Sequence, residues 1–251
     1  MIYLKQYTSV LMLHIRSTFY KILIVFAAMA GVEFFLFSRH LSRILISDIS
    51  EDRIRLGLGM IFDDSKIHFV FLGAFLLIST IIVLHGFEFK EKFSYTIRRL
   101  SIPEKHYFLL QALYYSMIYI LLFAVQIVII WLLSQYYFKT VPESLYSNQT
   151  LFLTFYSSNF LHSLLPLEET VRVVRNIFMI FALGFSGAYQ SYTQRRGKKQ
   201  GSFLVLALIV ILTFESSLGS FAGDVFTISA SATALCIIGC TMFRKGNGYE
   251  I

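Results

Sequence analysis

Three observations predict an all-α polytopic membrane bundle with six transmembrane helices. Of 251 residues, 56% are apolar and only 15% charged, where an ordinary soluble domain has about 45–50% and about 25%. Mean hydropathy is +0.66. Six stretches nearly free of Asp, Glu, Lys and Arg approach the length needed to cross a hydrocarbon core roughly 30 Å thick, about 20 residues. This composition excludes disordered, coiled-coil and disulfide-stapled classes. The net charge of +7 is dispersed along the chain, which fits cytoplasmic Lys/Arg enrichment rather than a nucleic-acid groove.

Residues 1–20 are amphipathic. Leu4, Tyr7, Leu11 and Ile15 form one stripe, with Lys5, Ser9 and Arg16 on another. This predicts an interfacial helix in the headgroup plane, or else a plain polar lead-in. The first span is expected over 21–38. Ala28-Met29-Ala30 resembles a small-x-small cleavage site, but the long lead-in and the apolar run resuming at Phe34 argue against a signal peptide. The second span is expected over 67–86 and the third over 106–137. The fourth, fifth and sixth are expected over 173–193, 202–218 and 225–243. None of Pro103, Pro142 and Pro166 falls within a span.

Between the second and third spans, Phe93, Ile97 and Leu100 recur at i, i+4 and i+7 and share one helical face. Lys92, Arg98 and Arg99 lie off that face. Ser101-Ile102-Pro103-Glu104 reads as a capping box that starts the third helix. A short amphipathic cytoplasmic helix is therefore expected over 88–100, parallel to the membrane and shaped as a docking handle. The alternative is a surface helix that only covers headgroups.

With both termini cytoplasmic, six alternating spans place 14 of 22 basic residues inside with few acids, as the positive-inside rule requires. The cluster Arg195-Arg196-Gly197-Lys198-Lys199 carries most weight. A seventh span over Ser144–Leu167 would send that cluster outside. The segment is also rich in Ser, Asn, Gln and His, so 139–167 reads as an outer-surface loop with a helix over Leu151–Leu165.

Catalytic chemistry is sparse. There is no G-x-x-x-x-G-K-[ST] loop and no H-E-x-x-H, and the six histidines fall mostly at span ends, as interfacial residues do. Glu168-Glu169 with Arg172 and Arg175 invites comparison with intramembrane proteases. The arginine spacing is wrong and no histidine follows, so a helix start after Pro166 with acids at its positive end fits better. The chain is not expected to be an enzyme, nor to bind a metal. Glu33, the one acid within a span core, could contact a cationic substrate, couple protons, bond to a neighbouring helix or, lying nearer the outer end, snorkel toward the headgroups. Gly184 and Gly187 on the fourth span, and Ala230 with Ala234 on the sixth, let helices approach closely within the chain or between subunits. Cys236 and Cys240 are read as small apolar packers.

The stretch Phe93-Ser94-Tyr95-Thr96-Ile97-Arg98-Arg99-Leu100-Ser101-Ile102-Pro103-Glu104 resembles the segment that bacterial ABC-exporter permeases of the six-span class carry between spans two and three. That resemblance covers 88–104 specifically and the span plan loosely. It implies that 88–100 is a coupling helix seated in a cleft of a separate ATP-binding subunit, which holds ATP and Mg, while this chain binds no cofactor. Phe93, Tyr95, Ile97 and Leu100 would anchor, and Arg98 and Arg99 would rim the contact. A second permease, identical or homologous, would pair with the chain in the lipid of the plasma membrane. Amphipathic peptides or hydrophobic drugs are the substrates implied. In such permeases re-entrant helices often lie between spans five and six, and here 215–224 is too short for them. A secondary carrier or small channel is the alternative, although no span is broken by Gly or Pro as such sites need. A membrane scaffold that transports nothing is the third reading.

Overall fold

The computed structural model describes residues 2–46, 57–99, 103–142, 146–147, 149–166, 169–196, 201–215 and 221–244. Every regular element among them is a helix: α1 (Ile2–Ile46), α2 (Leu58–Asp64), α3 (Ile67–Arg99), α4 (Glu104–Thr140), α5 (Thr150–Ser157), α6 (Asn159–Leu164), α7 (Thr170–Arg195), α8 (Ser202–Glu215) and α9 (Phe221–Arg244). Five are long and apolar enough to cross a bilayer, over His14–Leu45, Ile67–His85, Glu104–Thr140, Thr170–Gln194 and Phe221–Met242. The chain is thus a multi-pass helical membrane bundle. The expected fifth span is the 14-residue α8, and residues 216–218 lie outside the described residues.

Side-chain contacts fix the helix directions. His14 meets Tyr107 and Glu33 meets Gln126, so α1 and α4 run parallel. Ser79 meets Tyr119 while Phe71 meets Phe123, which makes α3 antiparallel to α4. Glu104 pairs with Arg196 and Phe108 with Phe185, so α7 is also antiparallel to α4. Arg172 and Arg175 near the start of α7 reach Asp224 near the start of α9. Those two helices therefore start at one end of the bundle, and α8 runs back between them. Its Thr213 meets Thr227, and its Phe214 reaches Phe71 and Phe160.

The first helix departs from expectation. There is no separate interfacial helix over 1–20: one 45-residue helix runs from Ile2 to Ile46. Its buried residues are His14, Thr18, Ile22, Val25, Met29, Glu33, Phe37, Leu41 and Ile44. Steps of three and four keep them on one face, so the helix packs on the bundle from His14 onward. The expected stripe is displaced, since Ile15 is exposed. His14 and Thr18 turn inward because α3 and α4 supply hydrogen-bonding partners. Ile15 faces the side where lipid tails would accept it.

The segment 88–100 departs likewise. The helix α3 is unbroken through Arg99 rather than ending and turning. Between His85 and Arg99 only Gly86 weakens a helix, and the first strong breaker is Pro103. The helix α4 begins at Glu104 with Pro103 as N-cap at φ −56° and ψ 133°. The start is later than a Ser101 cap would give, and Ser101 itself lies outside the described residues.

The segment 139–167, expected as a surface loop with one helix, is not built that way. It breaks at Ser158 into α5 and α6, and Phe160, Leu161, His162, Ser163 and Leu164 are all buried. The helix α5 packs on α2, where a Cβ on Gly59 would sit 2.1 Å from Ser157 Oγ. Ser158 caps α6 and also donates to Asp63 Oδ1 at 2.5 Å. Partial burial pushes the Asp63 carboxyl above its ordinary pKa, opposed by this bond and by the Asn159 backbone N–H. The α7 helix starts at Thr170, with Glu169 rather than Pro166 at its threshold.

Candidate functional site

Polar side chains meet inside the bundle at three levels. At the end where α1 is entered, the Tyr107 hydroxyl lies 2.9 Å from His14 Nε2. His14 Nδ1 lies 3.0 Å from His85 Nε2, and His85 Nδ1 3.4 Å from Ser17 Oγ. One neutral tautomer set satisfies these contacts. Tyr107 donates to His14, His14 donates to His85, and His85 donates to Ser17. Ser17 in turn donates to the His14 carbonyl oxygen, 3.1 Å away. One turn on, Thr18 and Tyr114 are hydrogen-bonded. Both imidazoles are buried. His14 and His85 stand at the ends of the apolar windows of α1 and α3, where they pair with each other inside the bundle rather than facing outward.

At mid-bundle, Gln126 Nε2 donates to Glu33 Oε2 at 2.9 Å. Both residues are at 0% exposure, so Glu33 is bonded to a neighbouring helix. Gln126 escaped sequence reasoning because a scan for charges passes over an amide.

At the far end, α7, α9 and α6 share an ionic cluster. Arg175 Nη1 donates to Asp224 Oδ1 at 2.5 Å. Arg172 Nε bridges Asp224 Oδ2 at 3.2 Å and Glu169 Oε2 at 2.5 Å. The Ser163 carbonyl accepts from Arg175 Nη2 at 3.1 Å and from Asn176 Nδ2 at 2.9 Å. Two guanidinium groups thus face two carboxylates, which balances the charge and leaves the arginines 3% and 1% exposed. Glu169 ties to Arg172 in an i, i+3 ion pair and lies 3.6 Å from His162 Nε2. Asp224 was missed because the expected sixth span starts at 225. Moving that start four residues earlier puts an acid inside a span, which is the signal that would have found it.

The small residues resolve into two groups. A Cβ on Gly184 would lie 2.0 Å from Ser116 Oγ, 2.7 Å from Ser116 N and 2.9 Å from the Ala112 carbonyl oxygen. One on Gly187 would lie 3.2 Å from Ile82 Cγ2. Both therefore seat α7 against α4 and α3. Gly184→Ala is expected to destabilise by about 1–3 kcal/mol, because backbone atoms must move. Gly31→Ala, with nothing within 4 Å of the added carbon, is expected to be neutral or slightly stabilising. Thermal unfolding of the purified variants compares them. On α9 the bundle side is Thr227, Ser231 and Ile238, while Ala230 and Ala234 are only half-buried. Cys236 and Cys240 are exposed, and so do not pack within this chain.

Between α1 and α4 an apolar groove of about 510 Å³ is lined by residues that include Ile15, Phe19, Phe26, Leu113, Met117 and Leu121. Among the described residues no group of three or more His, Cys, Asp or Glu is placed to hold a metal. The side chains of Phe93, Tyr95, Ile97, Arg98, Arg99 and Leu100 lie outside the described residues. The backbone is helical from Phe93 to Arg99. Neither a protein-family model, nor a curated protein, nor a solved structure matches the chain.

Proposed function

We propose that the chain is the membrane-spanning permease subunit of an ATP-driven ABC exporter. The observation that carries the reading is the overrun of α3 beyond its apolar part. The apolar window ends at His85, yet the helix continues through Arg99, about 20 Å further at 1.5 Å per residue. That extension carries Phe93, Tyr95, Ile97, Arg98 and Arg99, and the next helix, α4, begins at Glu104. A rigid lever joined to two membrane helices suits force delivered from a separate ATP-binding subunit that holds ATP and Mg. Its helical backbone keeps the i, i+4 spacing of Phe93 and Ile97 that would seat in the partner's cleft.

In this reading α8 is the sixth crossing. It returns the chain between α7 and α9, which start at the same end, and at about 21 Å it needs its ends sheltered by the neighbouring helices. Both termini then share the cytoplasmic side of the plasma membrane. The exposed α9 face with Ser229, Thr233, Cys236 and Cys240 is where a second permease would pack. The groove between α1 and α4 suits amphipathic peptides or hydrophobic drugs, having an apolar wall open to the membrane.

Co-purification tests the reading. The tagged chain should recover a subunit bearing a G-x-x-x-x-G-K-[ST] loop, and the complex should hydrolyse Mg-ATP. Solute uptake by the reconstituted chain alone, driven by an ion gradient, would instead make it a secondary carrier.

A further inference from the structure

The contact between Glu33 and Gln126 leaves a specific imbalance. The amide donates to Glu33 Oε2 at 2.9 Å, while Glu33 Oε1 and Gln126 Oε1 are both buried with no hydrogen-bond partner. These are two acceptor oxygens on side chains already joined by one hydrogen bond, and leaving either bare is costly. No ion pair to Glu33 exists among the described residues. On α1, Lys21 lies about 18 Å away along the axis. Arg39 lies about 9 Å further on and 240° around the helix, and His40 about 10 Å on along the same face. On α3, His68 and His85 sit at the two ends of the apolar window. On α4 the nearest ionisable groups are Tyr119 and Tyr136, whose rings meet Phe75 and Phe34. On α2, Asp63 is held by Ser158. Among the described residues nothing near Glu33 offers a compensating positive charge.

We infer that Glu33 is a proton-binding site: its carboxyl is carried neutral, and the Oε1–H donates to Gln126 Oε1. One proton then completes a cyclic carboxyl–amide pair, two parallel hydrogen bonds that satisfy both bare oxygens at once. It also removes the charge whose burial without a partner is the larger cost. The pair joins α1 to α4 beyond the apolar groove those helices line. Separating the two helices opens the clasp and exposes the carboxyl to ionisation, so proton occupancy and closure of α1 onto α4 are linked. The inference holds whether or not an ATPase docks on the chain.

Infrared difference spectroscopy of the full chain in lipid at neutral pH tests it. Wild type minus Glu33→Gln should show the C=O stretch of a hydrogen-bonded protonated carboxyl, shifted in heavy water. Carboxylate stretches in its place would overturn the inference. Should Glu33→Gln fail to fold, Gln126→Leu serves. It keeps the carboxyl and removes its partner, so the C=O band should move to higher frequency. A band left unmoved would overturn the clasp. Thermal unfolding gives a third readout. A neutral clasp predicts that Glu33→Gln, which preserves an amide–amide pair, melts close to wild type.

Discussion

Asp224→Ala is expected to be among the most damaging single substitutions in the chain. It removes the carboxylate that accepts from Arg175 at 2.5 Å and from Arg172 at 3.2 Å. Arg172 retains Glu169, but Arg175 is left with only the neutral Ser163 carbonyl and the Asn176 side chain. An unpaired buried charge of this kind costs about 3–5 kcal/mol. Because α7 and α9 meet there, the loss should appear as early unfolding of α9, read by protease sensitivity and a lowered melting temperature. Glu169→Ala removes a pair whose acid is 44% exposed, and solvent screening holds that loss to about 1 kcal/mol or less. Pairing Asp224→Leu with Arg175→Met should recover much of the stability, since apolar replacements of similar volume often substitute for a buried pair. Equal stability of Asp224→Ala and wild type would show that the cluster does not clamp the helices.

Replacing Phe93, Ile97 and Leu100 together by serine is expected to abolish assembly with the proposed ATP-binding subunit while leaving membrane insertion intact. Each apolar side chain buried in a cleft contributes about 1.5–3 kcal/mol. Losing three costs about 5 kcal/mol or more, over a thousandfold in affinity. Serine remains compatible with the helical extension of α3, so the span itself should persist. Arg98→Ala with Arg99→Ala is expected to weaken assembly less and to make it less sensitive to salt, as rim charges do. Recovery of the ATPase on the tagged chain measures both. Undiminished recovery by the triple variant would remove the docking role from this segment.

The sequence carried the long helices because a bilayer imposes a coarse, legible constraint: long runs without charges. The same constraint hid the polar chemistry. A charge-free run gives no sign that Gln126 faces Glu33, since an amide passes as uncharged. Asp224 was set aside as loop because an acid ordinarily ends a span, and only its two arginine partners, 49 and 52 residues earlier, make it tolerable inside one. Residues 1–20 read as a surface helix, yet His14 and Thr18 face inward to partners on α3 and α4. Pairings of this kind depend on long-range packing, which periodicity does not encode. The continuity of α3 through Arg99 was more accessible: no strong breaker stands between His85 and Pro103, so a turn at 88 had no residue to make it. The break at Ser158 between α5 and α6 was legible only as a polar cluster. Burial of α6 depends on Phe71 of α3, Arg175 of α7 and Phe214 of α8, which meet it from elsewhere in the chain.

The sidedness of the link between α3 and α4 is the most direct test of a permease driven from the cytoplasm. A cysteine placed by Ser94→Cys, in a background with Cys236→Ala and Cys240→Ala, can be exposed to a membrane-impermeant thiol reagent. Protection in intact cells, followed by full labelling once the membrane is opened, is the predicted result. Labelling from outside intact cells would put this link beyond reach of any nucleotide-driven partner and contradict the account.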